Sequence, residues 1–163
     1  MRKTFVRNAP FYALAAVLCA ATYMLLQQDI ALSLLPHKVA LELLFDFRFV
    51  FVEGLGYAQA QGLFVIARSC MGVKLFINLY LIQVFGFLHR KAGPRAKITA
   101  MAEYYALAFV LAFAVTVARI AASVPFCGWE HFTRIHNALS LALYFIAGLA
   151  LYLVMSCRLT EKM

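Results

Sequence analysis

Three residues of this chain have the types and the placement for acyl transfer: Cys70, Arg119 and His136. A cysteine thiolate is a nucleophile, favoured beside a cation or at a helix N-terminus. An imidazole can take the thiol proton and return it to a leaving group. A guanidinium can hold the oxyanion of a tetrahedral intermediate, or the substrate carbonyl. Together these are the working parts of a cysteine acyl-transfer enzyme. Taken singly, each has a plainer reading. A free cysteine packs as a small hydrophobe, an arginine snorkels towards headgroups, and a histidine caps an interfacial loop.

What joins them is the arrangement of the apolar runs around them. The 163 residues are 65% hydrophobic and only 13% charged, whereas a soluble domain is about half apolar and about a quarter charged. There is too little polar material to coat a globule, so residues 1–163 read as one membrane domain. Four runs approach the roughly 20 apolar residues that a bilayer core requires: 10–28, 70–88, 101–123 and 137–157.

The net charge of +8 is concentrated in "MRKTFVR", "HRKAGPRAK" and "CRLTEKM", which flank those runs. Short basic loops stay cytoplasmic, so both termini are expected inside, with 29–69 and 124–136 outside. No basic face interleaved with aromatics offers itself to a nucleic acid, and the expected surroundings are the lipid bilayer. Arg2 and Lys3 before the first run resemble the start of a cleaved signal peptide. Its length favours a retained anchor, and Leu18 before Cys19 argues against a lipoprotein signal.

The expected fold class is an all-α polytopic membrane protein. It has four transmembrane helices, an interfacial helix and a short extracytoplasmic β-hairpin. "DIALSLLPHKVALELLF" reads as the interfacial helix, broken or kinked at Pro36. In "FDFRFVFVEGLGYAQAQGLFVIARS", Phe45, Phe47, Phe49 and Phe51 alternate with Asp46 and Arg48, the period of a strand. Gly54 and Gly56 supply a turn, and "LFVIA" returns as the second strand, leading into Cys70.

This topology places Cys70 at the outer start of the second helix. Arg119 lies about one turn from the outer end of the third, and His136 at the outer start of the fourth. Lys74, four residues after Cys70, is expected on the same helical face, with Asn78 continuing the stripe. Such a cation favours the thiolate or meets an acidic group on a substrate; the plain alternative is a snorkelling lysine. Glu53 and Arg68 flank the site from the hairpin side, where they contact substrate or pair with each other. The cysteines (Cys19, Cys70, Cys127 and Cys157) form no Cys-x-x-Cys pair and no cluster with zinc spacing, so neither a metal nor a cofactor is expected.

"SCMGV", "ARI" and the histidine of "RIHNALS" resemble the exosortase/archaeosortase family of membrane cysteine transpeptidases. That family places Cys-x-Gly at the start of one helix, Arg-Ile at the outer end of the next and a His opening the last. "EGLGY" and "LFVIARSCMGV" look most like the exosortase K subgroup, and the resemblance extends over residues 45–155. It implies that Cys70 is the nucleophile, with Arg119 and His136 beside it. The implied substrate is a membrane-anchored protein with a C-terminal sorting signal: a short motif, a transmembrane helix and a basic end. The signal would be cleaved through an acyl-enzyme and the product passed to an acceptor outside a prokaryotic cytoplasmic membrane. The chain departs from the family pattern at Met71, Lys74, Thr116, Leu139 and Ser140.

Two other functions compete. Cys70 and Cys127 both face outward in this topology, as a membrane thiol-disulfide oxidoreductase would need, though no close cysteine pair exists. A non-enzymatic scaffold or transporter half would use Ala118, Ala121, Ala122 and Gly148 for helix packing. Glu130 and His131 are neighbours, but two ligands do not make a metal site.

Overall fold

In the computed structural model, residues 2–60, 62 and 64–160 are described. Five helices carry the chain: α1 (Arg2–Gln28), α2 (Ile30–Phe45), α3 (Val73–Phe87), α4 (Pro94–Ser123) and α5 (Phe132–Thr160). Short strands β1 (Phe49–Val52), β2 (Gly56–Gln59) and β3 (Val65–Ile66) lie between α2 and α3. Among the described residues four helical stretches are long and apolar enough to cross a membrane: Val6–Gln28, Arg68–Arg90, Pro94–Phe126 and Phe132–Cys157. They mark a multi-pass membrane protein.

Local chemistry sets the boundaries. Asp29 caps α2, its Oδ1 accepting from the Leu32 N–H at 2.9 Å, which satisfies one of the orphan donors of a helix start. Asp46 closes α2 in the left-handed conformation, at φ 53°, a common helix ending. Pro94 opens α4 behind Gly93, where a missing N–H costs nothing. Pro36 lies inside a continuous α2, so the expected break does not occur there.

The expected hairpin is a three-stranded antiparallel sheet in the order β1-β2-β3. Phe45 belongs to α2, and β1 begins only at Phe49. "GYAQ", of which only Gly56 was assigned from sequence, to a turn, is the central strand, pairing Phe49 with Gln59 on one side and Tyr57 with Ile66 on the other. Gly56 starts it at φ +116°, where a Cβ would run into the Ile66 carbonyl oxygen. No other residue fits that approach without moving the strands.

The bundle is built around α3. Leu75, Phe76, Leu79, Tyr80 and Val84 are buried against Ala108 and Ala112 of α4 and Ala15 of α1, small residues that let helices approach closely. In the most apolar stretch of the α3 span 61% of residues are buried, against 6% in that of α5. At one end of the bundle Lys97 Nζ donates to Asn8 Oδ1, and Phe87 meets Tyr152 at 5.6 Å. The start of α1, the α3–α4 connection and the last turns of α5 therefore share that end. At the opposite end a second core joins α2, the sheet and α4 through Leu34, Leu41, Phe49, Tyr57, Ile66 and Ile120. Cys70 belongs to this second core.

Candidate active site

Cys70 does not open a helix. It lies in a 3-10 turn, Arg68–Met71, followed by Gly72 at φ +70° and only then by α3 at Val73. Gly72 is required here: a Cβ would collide with Thr116 Oγ1 on α4. This contact turns the chain and presses the Cys70 turn onto α4. The Cys70 side chain is 7% exposed. The turn also separates Cys70 from Lys74, so the expected shared helical face does not exist. The thiol lacks both a helix N-terminus of its own and a lysine one turn below it.

His136 begins the second turn of α5, not its first residue. Its Nδ1 lies 2.9 Å from Ser123 Oγ. That hydroxyl donates its single proton to the Arg119 carbonyl at 2.8 Å, so it can only accept from the imidazole. The tautomer assigned by this network carries the proton on Nδ1 and leaves Nε2 with its lone pair. An imidazole so held is a base at Nε2. Sequence reasoning missed Ser123, although it stands four residues after Arg119, one turn along the same helix face.

Arg119 is 5% exposed. Its Nη1 donates to Tyr144 OH at 2.8 Å and reaches Ser140 Oγ at 3.5 Å. Among the described residues Nε and Nη2 have no partner, and no carboxylate pairs with the guanidinium. Ser140 Oγ in turn donates to the His136 carbonyl at 2.6 Å. His136, Ser140 and Tyr144 thus form an i, i+4, i+8 stripe on α5 facing α4. The spacing was visible in the sequence, but its purpose was not.

Two cavities flank these groups. The larger, about 530 Å³, is lined by Arg68, Lys74, Arg119, His136 and Tyr144 among others. Among the described residues its lining has three basic side chains and no acidic one, so it favours an anionic or oxyanionic group. The smaller, about 220 Å³, is lined by Cys70, Ser123, Cys127 and His136. Ser69 and His136 line both. His136 therefore borders both the cavity of the thiol and that of the guanidinium, although Cys70 and His136 are not hydrogen-bonded to each other.

The remaining expected site residues divide. Arg68 and Lys74 line the larger cavity, both exposed. Glu53 is exposed in the turn after β1, away from that cavity, and forms no pair with Arg68; the single ion pair among the described side chains is Lys38–Glu42, at 3.4 Å. Asn78 lines a separate groove of about 720 Å³ between α3 and α5. Tyr144 borders both that groove and the larger cavity. Cys127 was placed by sequence in an outer loop, and it lies beside the site, its Sγ 3.8 Å from the Ser123 carbonyl. Both Cys70 and Cys127 are free thiols. Burial raises the pKa of Cys127, which keeps it protonated near neutrality. Among the described residues no group of three His, Cys, Asp or Glu could hold a metal ion.

The fold and site define a multi-pass helical protein with a thiol, an imidazole and a guanidinium gathered at one end of its bundle. No protein-family model, curated protein or solved structure matches the chain.

Proposed function

We propose that this protein is a membrane cysteine transpeptidase or protease of the exosortase type, acting on a C-terminal sorting signal. The observation that carries this reading is the Ser123–His136 hydrogen bond, which leaves Nε2 with its lone pair on a residue that shares a cavity with Cys70. In the proposed reaction the Cys70 thiol gives its proton to Nε2, and the sulfur attacks the scissile carbonyl. The Arg119 guanidinium, which lines the adjoining cavity, supplies the positive charge that stabilises the oxyanion. As the tetrahedral intermediate collapses, the C–N bond breaks and the imidazolium protonates the departing amine. The N-terminal part of the substrate remains as a thioester. An amine acceptor, or water, then gives a proton to Nε2 as it attacks, and the thiol is restored.

The groove between α3 and α5 suits the transmembrane helix of such a substrate, because Tyr144 connects it to the reactive cavity. The start of α1 and the basic α3–α4 connection share the end of the bundle opposite Cys70, where Lys97 meets Asn8. By the positive-inside rule that end is cytoplasmic, both termini with it, and the chemistry faces outward.

The test compares C-terminal peptides of membrane-anchored proteins in cells carrying the wild type or Cys70→Ala. The expected result is a set of processed C-termini that disappears in the variant; identical C-termini in both would contradict the proposal. A second reading has one specific observation in its favour. Cys70 and Cys127 line the same small cavity, as a thiol-disulfide oxidoreductase would require. A native chain isolated two hydrogens lighter, with these residues joined, would favour it.

A further inference from the structure

On the other side of the Cys70 turn lies a cavity that the acyl-transfer chemistry does not use. It is about 220 Å³ in volume, enclosed by α1, α2, α3 and α4, and apolar apart from Ser33 and His37. The Ser33 hydroxyl is committed to the Leu26 carbonyl at 3.0 Å. His37 is only 5% exposed, and neither ring nitrogen makes a well-formed hydrogen bond, the Ser33 carbonyl one turn earlier being the nearby acceptor. Its ring meets Phe113 edge-on at 5.0 Å. Its exposed lining residues are Pro36 of α2 and Phe109 and Val110 of α4.

Water does not suit this space. An apolar cavity of about 150 Å³ stays dry and admits benzene, and a buried water needs two to four polar partners. Here one side chain is on offer. Burial first, then the nearby Arg119 charge, lower the His37 pKa to about 4, partly opposed by the Ser33 carbonyl one turn earlier. The ring is therefore neutral near pH 7, with one N–H and one lone pair. An uncharged oxygen complements it, whereas an anion has the cationic cavity beside Arg119 to go to.

We propose that this cavity binds a membrane lipid, an apolar chain lying along Phe109 and Phe113 with its uncharged hydroxyl or carbonyl oxygen hydrogen-bonded to His37. The cavity takes one end of the chain, and the rest leaves into the bilayer past Val110. The site is independent of the transpeptidase reading, so either can fail without the other.

The test uses the full-length purified protein and four photoreactive dodecyl probes: an alkane, a primary alcohol, a methyl ester and a carboxylate. Crosslinks are mapped by mass spectrometry to the segments 71–76 and 109–113. The alcohol or the methyl ester should label these segments about tenfold more than the alkane does, the discrimination one hydrogen bond provides. An excess for the alcohol assigns a hydroxyl lipid, and an excess for the ester assigns an acyl carbonyl. His37→Leu should reduce the preferred probe to the alkane level, while His37→Gln, which keeps an uncharged donor and acceptor, should retain the preference. Equal labelling by alcohol, ester and alkane in the wild type would overturn the proposal, as would a preference for the carboxylate. So would a preference that survives His37→Leu. The wild-type ratios decide the matter even if a variant fails to fold.

Discussion

Arg119 and His37 are both buried nitrogen-bearing side chains with incomplete hydrogen bonding, near enough for the charge of one to lower the pKa of the other. They occupy opposite kinds of space. Arg119 borders a cavity with two more cations and several hydroxyls; His37 borders one that is almost wholly apolar. A guanidinium cannot shed its proton under these conditions, so its burial demands partners or a ligand. An imidazole escapes the same cost by becoming neutral. The difference teaches what each cavity can receive: developing negative charge on one side, an uncharged group on the other.

The largest effect should come from removing the charge that cannot be neutralised. Arg119→Met is expected to slow substrate processing about 100- to 1,000-fold, as loss of an oxyanion donor does. Its thermal stability should hold or rise, because a partly unsatisfied buried cation has been replaced by an apolar chain. Processing rates and melting curves on the same preparation check both. A large fall in stability would mean that Arg119 holds the bundle together instead.

His37 should give the next largest effect, and one on stability rather than rate. Its folded pKa of about 4 lies below the ordinary histidine value of 6.5, so between these values the unfolded chain binds more protons than the folded one. Stability from this residue is complete above the unfolded pKa and lost as pH falls towards 4. The loss should amount to roughly 3 kcal/mol at most. Denaturation between pH 7 and pH 4 should show that slope in the wild type and a flatter one in His37→Leu.

Ser123→Ala sharpens the comparison from the catalytic side. It removes the group that orients His136 without touching the imidazole, so processing should fall about tenfold, the worth of one hydrogen bond. Ser123→Thr should recover most of that loss and restore the pH–rate profile, which a merely structural role would leave unmoved. The smallest effect belongs to Glu53→Ala. Glu53 borders neither cavity described at this end of the bundle, so the variant should process substrate within about twofold of the wild type, as surface substitutions usually do.

The four long helices were legible because apolar length in a bilayer is a strong signal. Their ends were less so: α4 begins at Pro94 and α5 at Phe132, since a helix continues through polar residues where apolar counting stops. The central strand was hidden because "GYAQ" is four residues long and lacks the aromatic alternation that marked its neighbour. Gly72 was plain in the sequence, but an apolar run containing one glycine reads as helix. Only the contact with Thr116 explains the turn that moves Cys70 out of register with Lys74. The gathering of Cys70, Arg119 and His136 at one end of the bundle followed from helix order and direction. The roles of Ser123 and Tyr144 did not, because they depend on which side-chain atoms face each other. The His37 cavity depends on how α2 lies across α3 and α4, which no local pattern encodes.

The most direct measurement is the rate at which a small, membrane-impermeant methanethiosulfonate labels Cys70 at pH 7, read by mass spectrometry without reductant. The wild type and His136→Ala would be compared. If His136 Nε2 serves the thiol as its base, Cys70 labels without prior reduction and His136→Ala slows the reaction at least about tenfold, the scale of general-base assistance. Equal rates in the two proteins would contradict a thiol–imidazole pair, and a Cys70 found joined to Cys127 would transfer the site to thiol-disulfide exchange.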